Sequence, residues 1–187
     1  MTASAAAPAP MTAEQLLELP DDGLRHELVD GELTTMSPAG YRHGKVSLRV
    51  GRFLGDFVDE HALGDVLSND PGFVLRRGPD TVRAPDVAFL RAEVVAALAD
   101  DTGFVEVVPD LVVEVVSPSD RAGEVTAKAL VWLDAGVRLV WVVDPGSRSI
   151  MVHRPDGVGR LVRGPGAVLD GDDVLPGLGL PLDQLFG

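Results

Sequence analysis

The stretch Leu111-Val112-Val113-Glu114-Val115-Val116 sets one carboxylate inside an otherwise unbroken apolar run. The run is short, rich in β-branched residues and opened by Pro109-Asp110, which predicts a strand buried on both faces. An ionised carboxylate in such a strand is costly unless a cation or strong donors compensate it. Any fold for this chain must therefore bring compensation to Glu114. A second predicted strand, Pro85-Asp86-Val87-Ala88-Phe89-Leu90, also begins with an acid.

The 187 residues suffice for one domain with a genuine core, and a composition 45% hydrophobic and 24% charged argues against a disordered chain. We expect one α/β domain over residues 11–187, preceded by a disordered tail, Met1 to Pro10, rich in Ala and Pro. There is no cysteine, which excludes thiolate metal sites and disulfides and suits a reducing cytoplasm. No apolar run approaches the roughly 20 residues that span a bilayer. The net charge of −13 weighs against nucleic-acid binding unless the positive charges are concentrated.

One such concentration exists. Tyr41 to Glu60 reads as the clearest helix, with Val46, Val50, Phe53, Leu54 and Phe57 on its apolar face. Gly44, Gly51 and Gly55 share another side, where a neighbouring backbone could come close. Arg42, Lys45, Arg49 and Arg52 form a basic stripe on a third. Upstream, Thr12 to Leu19 predicts a short helix capped by Thr12. Arg25–Val29 and Glu32–Met36 flank Asp30-Gly31, a strong two-residue hairpin signal, with Glu27 and Glu32 on one face.

Downstream, strands are expected at Gly64–Ser68, Gly72–Arg76 and Asp86–Leu90, and a helix over Arg91–Leu98. The central strand Leu111–Val116 follows. Ser117-Pro118-Ser119-Asp120 then stops that strand and caps a helix running to Ala135. Val137–Val143 is a further buried strand, Ser149–His153 and Arg160–Arg163 an antiparallel pair. The tail rich in Gly, Pro and Leu packs back over the body.

Phosphodiester cleavage needs charge neutralised at a phosphate and a water made nucleophilic. Mg²⁺ does both while using only one or two carboxylates, and Asp86 and Glu114 supply that ligand type. Only Lys45 and Lys128 among the 16 basic residues are lysines, and Lys128 lies in the helix after the central strand. A compact ammonium orients a water better than a guanidinium does. Acyl chemistry has no comparable support, with no cysteine and no Gly-x-Ser-x-Gly. Blander readings stand alongside. Asp86 fits a turn acid at a strand start, Glu114 a core carboxylate paired with Arg83 or Arg138, and Lys128 and the basic stripe solvated helix residues. Glu27 and Glu32 fit solvent-facing hairpin acids, and His43 and His153 ordinary surface or half-buried residues.

As an ordered set, Glu27-Leu28-Val29-Asp30-Gly31-Glu32, Pro85-Asp86, Glu114-Val115-Val116-Ser117-Pro118-Ser119, Lys128, Ala135-Gly136-Val137, Trp141-Val142-Val143-Asp144-Pro145 and Leu178 to Phe186 resemble the Uma-type family. These are endonucleases of the restriction-endonuclease-like PD-(D/E)XK superfamily. The resemblance covers nearly the whole chain. It implies a mixed central β-sheet flanked by helices with an N-terminal hairpin, and Mg²⁺, replaceable by Mn²⁺, held by Asp86 and Glu114. It also implies action on DNA, a possible homodimer, and Glu27 as the N-terminal acid of the site. The superfamily's usual lysine two residues after the acid is absent, since Val116 stands there; the resemblance moves that role to Lys128. A non-catalytic binding or regulatory protein that keeps this fold is the alternative, and a hydrolase of RNA or nucleotides a third.

Overall fold

The computed structural model describes residues 9–68, 71–98, 102–118 and 120–187. Most of the expected tail (residues 1–8) and Ser119 lie outside the described residues. Thr12 opens helix α1 (Ala13–Leu17) as its cap, its Oγ1 accepting from the Gln15 amide at 3.3 Å while Gln15 Oε1 accepts from the Thr12 amide at 2.9 Å. Strands β1 (Arg25–Val29) and β2 (Glu32–Met36) form the expected hairpin. Asp30 (φ 55°) and Gly31 (φ 77°) make its two-residue turn with the positive dihedrals that such turns require.

Helix α2 (Tyr41–His61) buries Val46, Val50, Leu54 and Val58 and packs Phe53 and Phe57 against the core. Its glycines do less than expected. A Cβ on Gly51 would meet only Val87, at 3.6 Å, and one on Gly44 or Gly55 would meet nothing within 4 Å. Strands β3 (Gly64–Ser68), β4 (Phe73–Arg76), β5 (Thr81–Arg83) and β6 (Val87–Arg91) follow. The helix expected over Arg91–Leu98 shortens to α3 (Ala92–Val95).

The central strand β7 (Leu111–Val115) is buried at every position, as its composition demands. Helix α4 (Ala122–Asp134) leads from it to β8 (Leu139–Asp144), which pairs with β7 in parallel, the connection such a pair needs. Strands β9 (Ser149–His153) and β10 (Arg160–Arg163) complete a six-stranded sheet in the order β10-β9-β8-β7-β6-β3, otherwise antiparallel. A second sheet has the order β2-β1-β5-β4. The tail, expected only to pack back, forms β11 (Val168–Gly171), β12 (Leu175–Pro181) and helix α5 (Leu182–Phe186). Leu169, Leu175, Leu180 and Leu185 from these elements enter the main core.

Alternation along β7 sorts its side chains between two layers. Leu111, Val113 and Val115 join the core with α2 and the C-terminal elements. Val112 faces the other way, with Ala129 and Trp132 of α4, so Glu114, two residues on, points toward α4.

Candidate active site

Asp86 sits just before β6, with its amide donating to the Val113 carbonyl at 3.1 Å, which sets it beside Glu114 on β7. Both acids are buried, 5% and 7% exposed. Glu114 Oε2 accepts from Lys128 Nζ at 2.8 Å and Oε1 from Trp132 Nε1 at 2.7 Å. Lys128 and Trp132 are one turn apart on α4, so one helix face supplies both donors. The pairing of Glu114 with Arg83 or Arg138 does not form: Arg83 donates to Glu27 Oε2 at 2.8 Å, and Arg138 to Asp173 Oδ2 at 2.6 Å. Nor is Lys128 a solvated helix residue.

Glu27 is 1% exposed, the most buried acid among the described residues. Its Oε1 accepts from the Ala84 amide at 3.1 Å and lies 3.7 Å from Lys128 Nζ. Lys128 therefore bridges an acid from each sheet. Glu32, on the same hairpin face, is exposed at the turn.

His43 corrects the sequence reading. It is buried, and its Nε2 stands 3.2 Å from Asp86 Oδ2, which also accepts from the Val115 amide at 2.7 Å. The signal was its helical phase: His43 precedes Val46 by three residues and Val50 by seven, on the inward stripe. Arg25 completes the ring, with Nη2 donating to the Ala84 carbonyl at 3.0 Å and Nη1 3.9 Å from Asp86 Oδ1. Arg25, Glu27, His43, Asp86, Glu114 and Lys128 all line one cleft of about 830 Å³.

The electrostatics follow from burial and charge. Desolvation pushes the Glu114 carboxyl up, assisted by the negative charges of Asp86 and Glu27 and only partly opposed by Lys128. Burial acts upward on Asp86 too, but the hydrogen bond and charge of His43, the Val115 amide and Lys128 hold it below the usual range. Desolvation lowers Lys128, yet Glu114, Glu27 and Asp86 outweigh it and raise the net value. The two carboxylates are thus pushed apart, a pattern common at functional sites.

The hydrogen bond to Asp86 raises His43 above its ordinary value, with burial opposing. Its contribution to stability is full below the unfolded pKa of about 6.5 and lost as pH rises through the higher folded value. We expect NMR of the His43 ring in chelator-treated protein to show that elevation, and Asp86→Asn to bring it down. An unchanged midpoint in Asp86→Asn would contradict the dyad.

The basic stripe on α2 does not line the cleft. Lys45 Nζ donates to the Gly187 carbonyl at 3.1 Å, and Arg49 Nη1 to those of Leu185, at 2.9 Å, and Gly187, so both tether the C-terminal helix. Arg52 lies 3.9 Å from Asp56, while Arg42 is exposed in the first turn.

Residues 13–183 match the family model Uma2, described as "Putative restriction endonuclease". The chain belongs to the Uma2 family. Among solved structures, the Uma2 chain superposes on a protein from Anabaena variabilis described as a putative nuclease belonging to DUF820. That match has a TM-score of 0.80 at 19% identity, and covers 95% of this chain and 98% of the other. At that identity the likeness establishes the fold. No curated protein matches the chain.

The Uma2 chain's donor set suits a hard divalent cation. Among the described residues no three His, Cys, Asp or Glu side chains cluster so as to hold a metal by themselves. Mg²⁺ needs only one or two carboxylates and keeps its waters. Asp86 Oδ1 stands 3.9 Å from Arg25 Nη1, beyond hydrogen-bond length, while the Val115 amide donates to the other oxygen, so Oδ1 keeps lone pairs for a ligand.

Proposed function

We propose that this Uma2 protein is a Mg²⁺-dependent endonuclease of the PD-(D/E)XK type that hydrolyses phosphodiester bonds in DNA. One observation carries the reading: an acid at the entry to one strand, an acid within its neighbour and a lysine from the next helix line a single cleft. Asp86 and Glu114, with the Val115 carbonyl, would hold Mg²⁺ or Mn²⁺, which neutralises phosphate charge and makes a bound water more acidic. Lys128, kept cationic by its acidic neighbours, donates hydrogen bonds to that water or to a phosphate oxygen rather than taking a proton. Glu27 fixes Lys128 and Arg83. His43 and the Val115 amide hold Asp86 in one orientation, and Arg42 contacts phosphate outside the cleft. A chain without cysteine suits a cytoplasmic setting, and no helix among the described residues is long and apolar enough to cross a membrane.

The test uses supercoiled plasmid and circular single-stranded DNA with Mg²⁺ or Mn²⁺. The parent protein cuts at least one of them, and Asp86→Ala and Glu114→Gln each lower the rate by about 10²–10³-fold, the cost of losing transition-state charge stabilisation. Failure of the parent on both substrates, or undiminished cutting by both variants, refutes the reading. The net charge of −13 and the ion-paired acids favour the alternative, a non-catalytic binding protein on the same fold. Calorimetric titration separates the two, since that protein needs no divalent-metal affinity dependent on Asp86 and Glu114.

A further inference from the structure

The cleft carries more than its acids. Beside them its walls include apolar side chains, Val29 and Met36 from the hairpin, Val125 and Val131 from α4, and Val116 and Pro118 from the segment between β7 and α4, set among the polar Thr34, Ser117, Asp120 and Glu124. Building on the nuclease reading, we infer that the substrate is a polynucleotide unpaired at the reacting position, a single strand rather than an intact duplex.

Two observations carry this. The acids are at most 7% exposed, so the reacting phosphate has to enter between the hairpin and α4. An intact duplex keeps its base faces stacked and offers those walls only sugar, phosphate and base edges. An unpaired nucleotide presents an apolar base face beside its phosphate, so one nucleotide meets both the walls and the acids. Charge points the same way. Duplex binding draws on a row of free cations matched to closely spaced phosphates. Here Arg83 and Lys128 are paired to cleft acids, Arg25 stands against Asp86, and Lys45 and Arg49 are engaged by C-terminal carbonyls. A single strand, with its lower charge density, asks for fewer such cations than a duplex, and contacts to its base faces, which tolerate any sequence, add to binding.

The test is fluorescence anisotropy with the full chain in Ca²⁺, using a short labelled DNA strand of mixed sequence, the same strand annealed to its complement, and an RNA strand of that sequence. The single strands bind about tenfold or more tighter than the duplex, the scale of one base contact; the DNA and RNA arms show which sugar is preferred. Met36→Glu and Val131→Glu each weaken single-strand binding by about tenfold while calorimetric Mn²⁺ affinity stays put, and Met36→Ala serves if either fails to fold. Duplex binding as tight as single-strand binding, no binding of either strand, or indifference to the wall variants overturns the inference. Strand binding without cutting would sink the nuclease reading and leave only the preference for unpaired strands standing; preferential cutting of duplex would sink the inference and leave the nuclease reading.

Discussion

Lys128→Ala should lower stability by about 3–5 kcal/mol near neutral pH, the usual cost of stranding one member of a buried ion pair. Lys128 is the one ammonium donating to Glu114, at 2.8 Å, and it also stands 3.7 Å from Glu27. Without it two buried carboxylates face each other with only Trp132, Arg83 and backbone amides as compensation. For a domain of this length the loss corresponds to roughly 10 °C in melting temperature. The pH dependence has a definite sign. Glu114 already has a raised folded pKa, so its contribution is full below its unfolded value and is lost as pH rises through the folded one. Removing the ammonium raises that folded value further, so the deficit of Lys128→Ala grows as pH climbs from mildly acidic to neutral. Adding Glu114→Gln should restore much of the stability, because the amide carries no charge and its oxygen still accepts from Trp132. Thermal melts of parent, single and double variants across pH read this directly. Equal losses at every pH, or additive losses in the double variant, would show that Lys128 acts through packing alone.

The parts of this fold legible in the sequence are those governed by short-range rules. Asp30-Gly31 forced its turn, β7 announced itself by an apolar run, and α2 by its stripe. Glu114 was legible because a charge in that run has no local remedy. Its actual partners were not, because Lys128 and Trp132 meet it only after α4 folds back across the sheet. That Arg83 serves Glu27 depends on β5 lying beside β1, with Leu28 opposite Val82, a non-local pairing that spacing does not reveal. A lone histidine such as His43 carries little signal by residue type, although its helical phase points inward. Strands β11 and β12 were hidden by glycine, proline and aspartate, residues that read as loop; at Gly171 a Cβ would fall 2.4 Å from the Leu175 carbonyl oxygen, so the composition reflects close backbone packing.

Saturating Mn²⁺ should raise the melting temperature. At one hundred times its dissociation constant, a ligand bound only by the folded state adds about 2.7 kcal/mol, or about 5–10 °C for a chain of this length. The cause lies in the cluster: Asp86 and Glu27 act against ionisation of Glu114, and a divalent cation between Asp86 and Glu114 relieves that repulsion. The shift should therefore grow as pH rises through the elevated Glu114 pKa, because the ligand binds as carboxylate. Asp86→Ala and Glu114→Gln should each abolish it. Lys128→Ala separates ligand from helper: removing a positive charge beside the site leaves the Mn²⁺ shift as large or larger, while cutting is lost. If Lys128→Ala lost the shift as completely as Asp86→Ala, the lysine would be organising the acids rather than meeting water or phosphate. If none of the variants changed a shift seen in the parent, the cation would be bound elsewhere, and Asp86 and Glu114 would be structural acids neutralised by His43, Lys128 and Trp132.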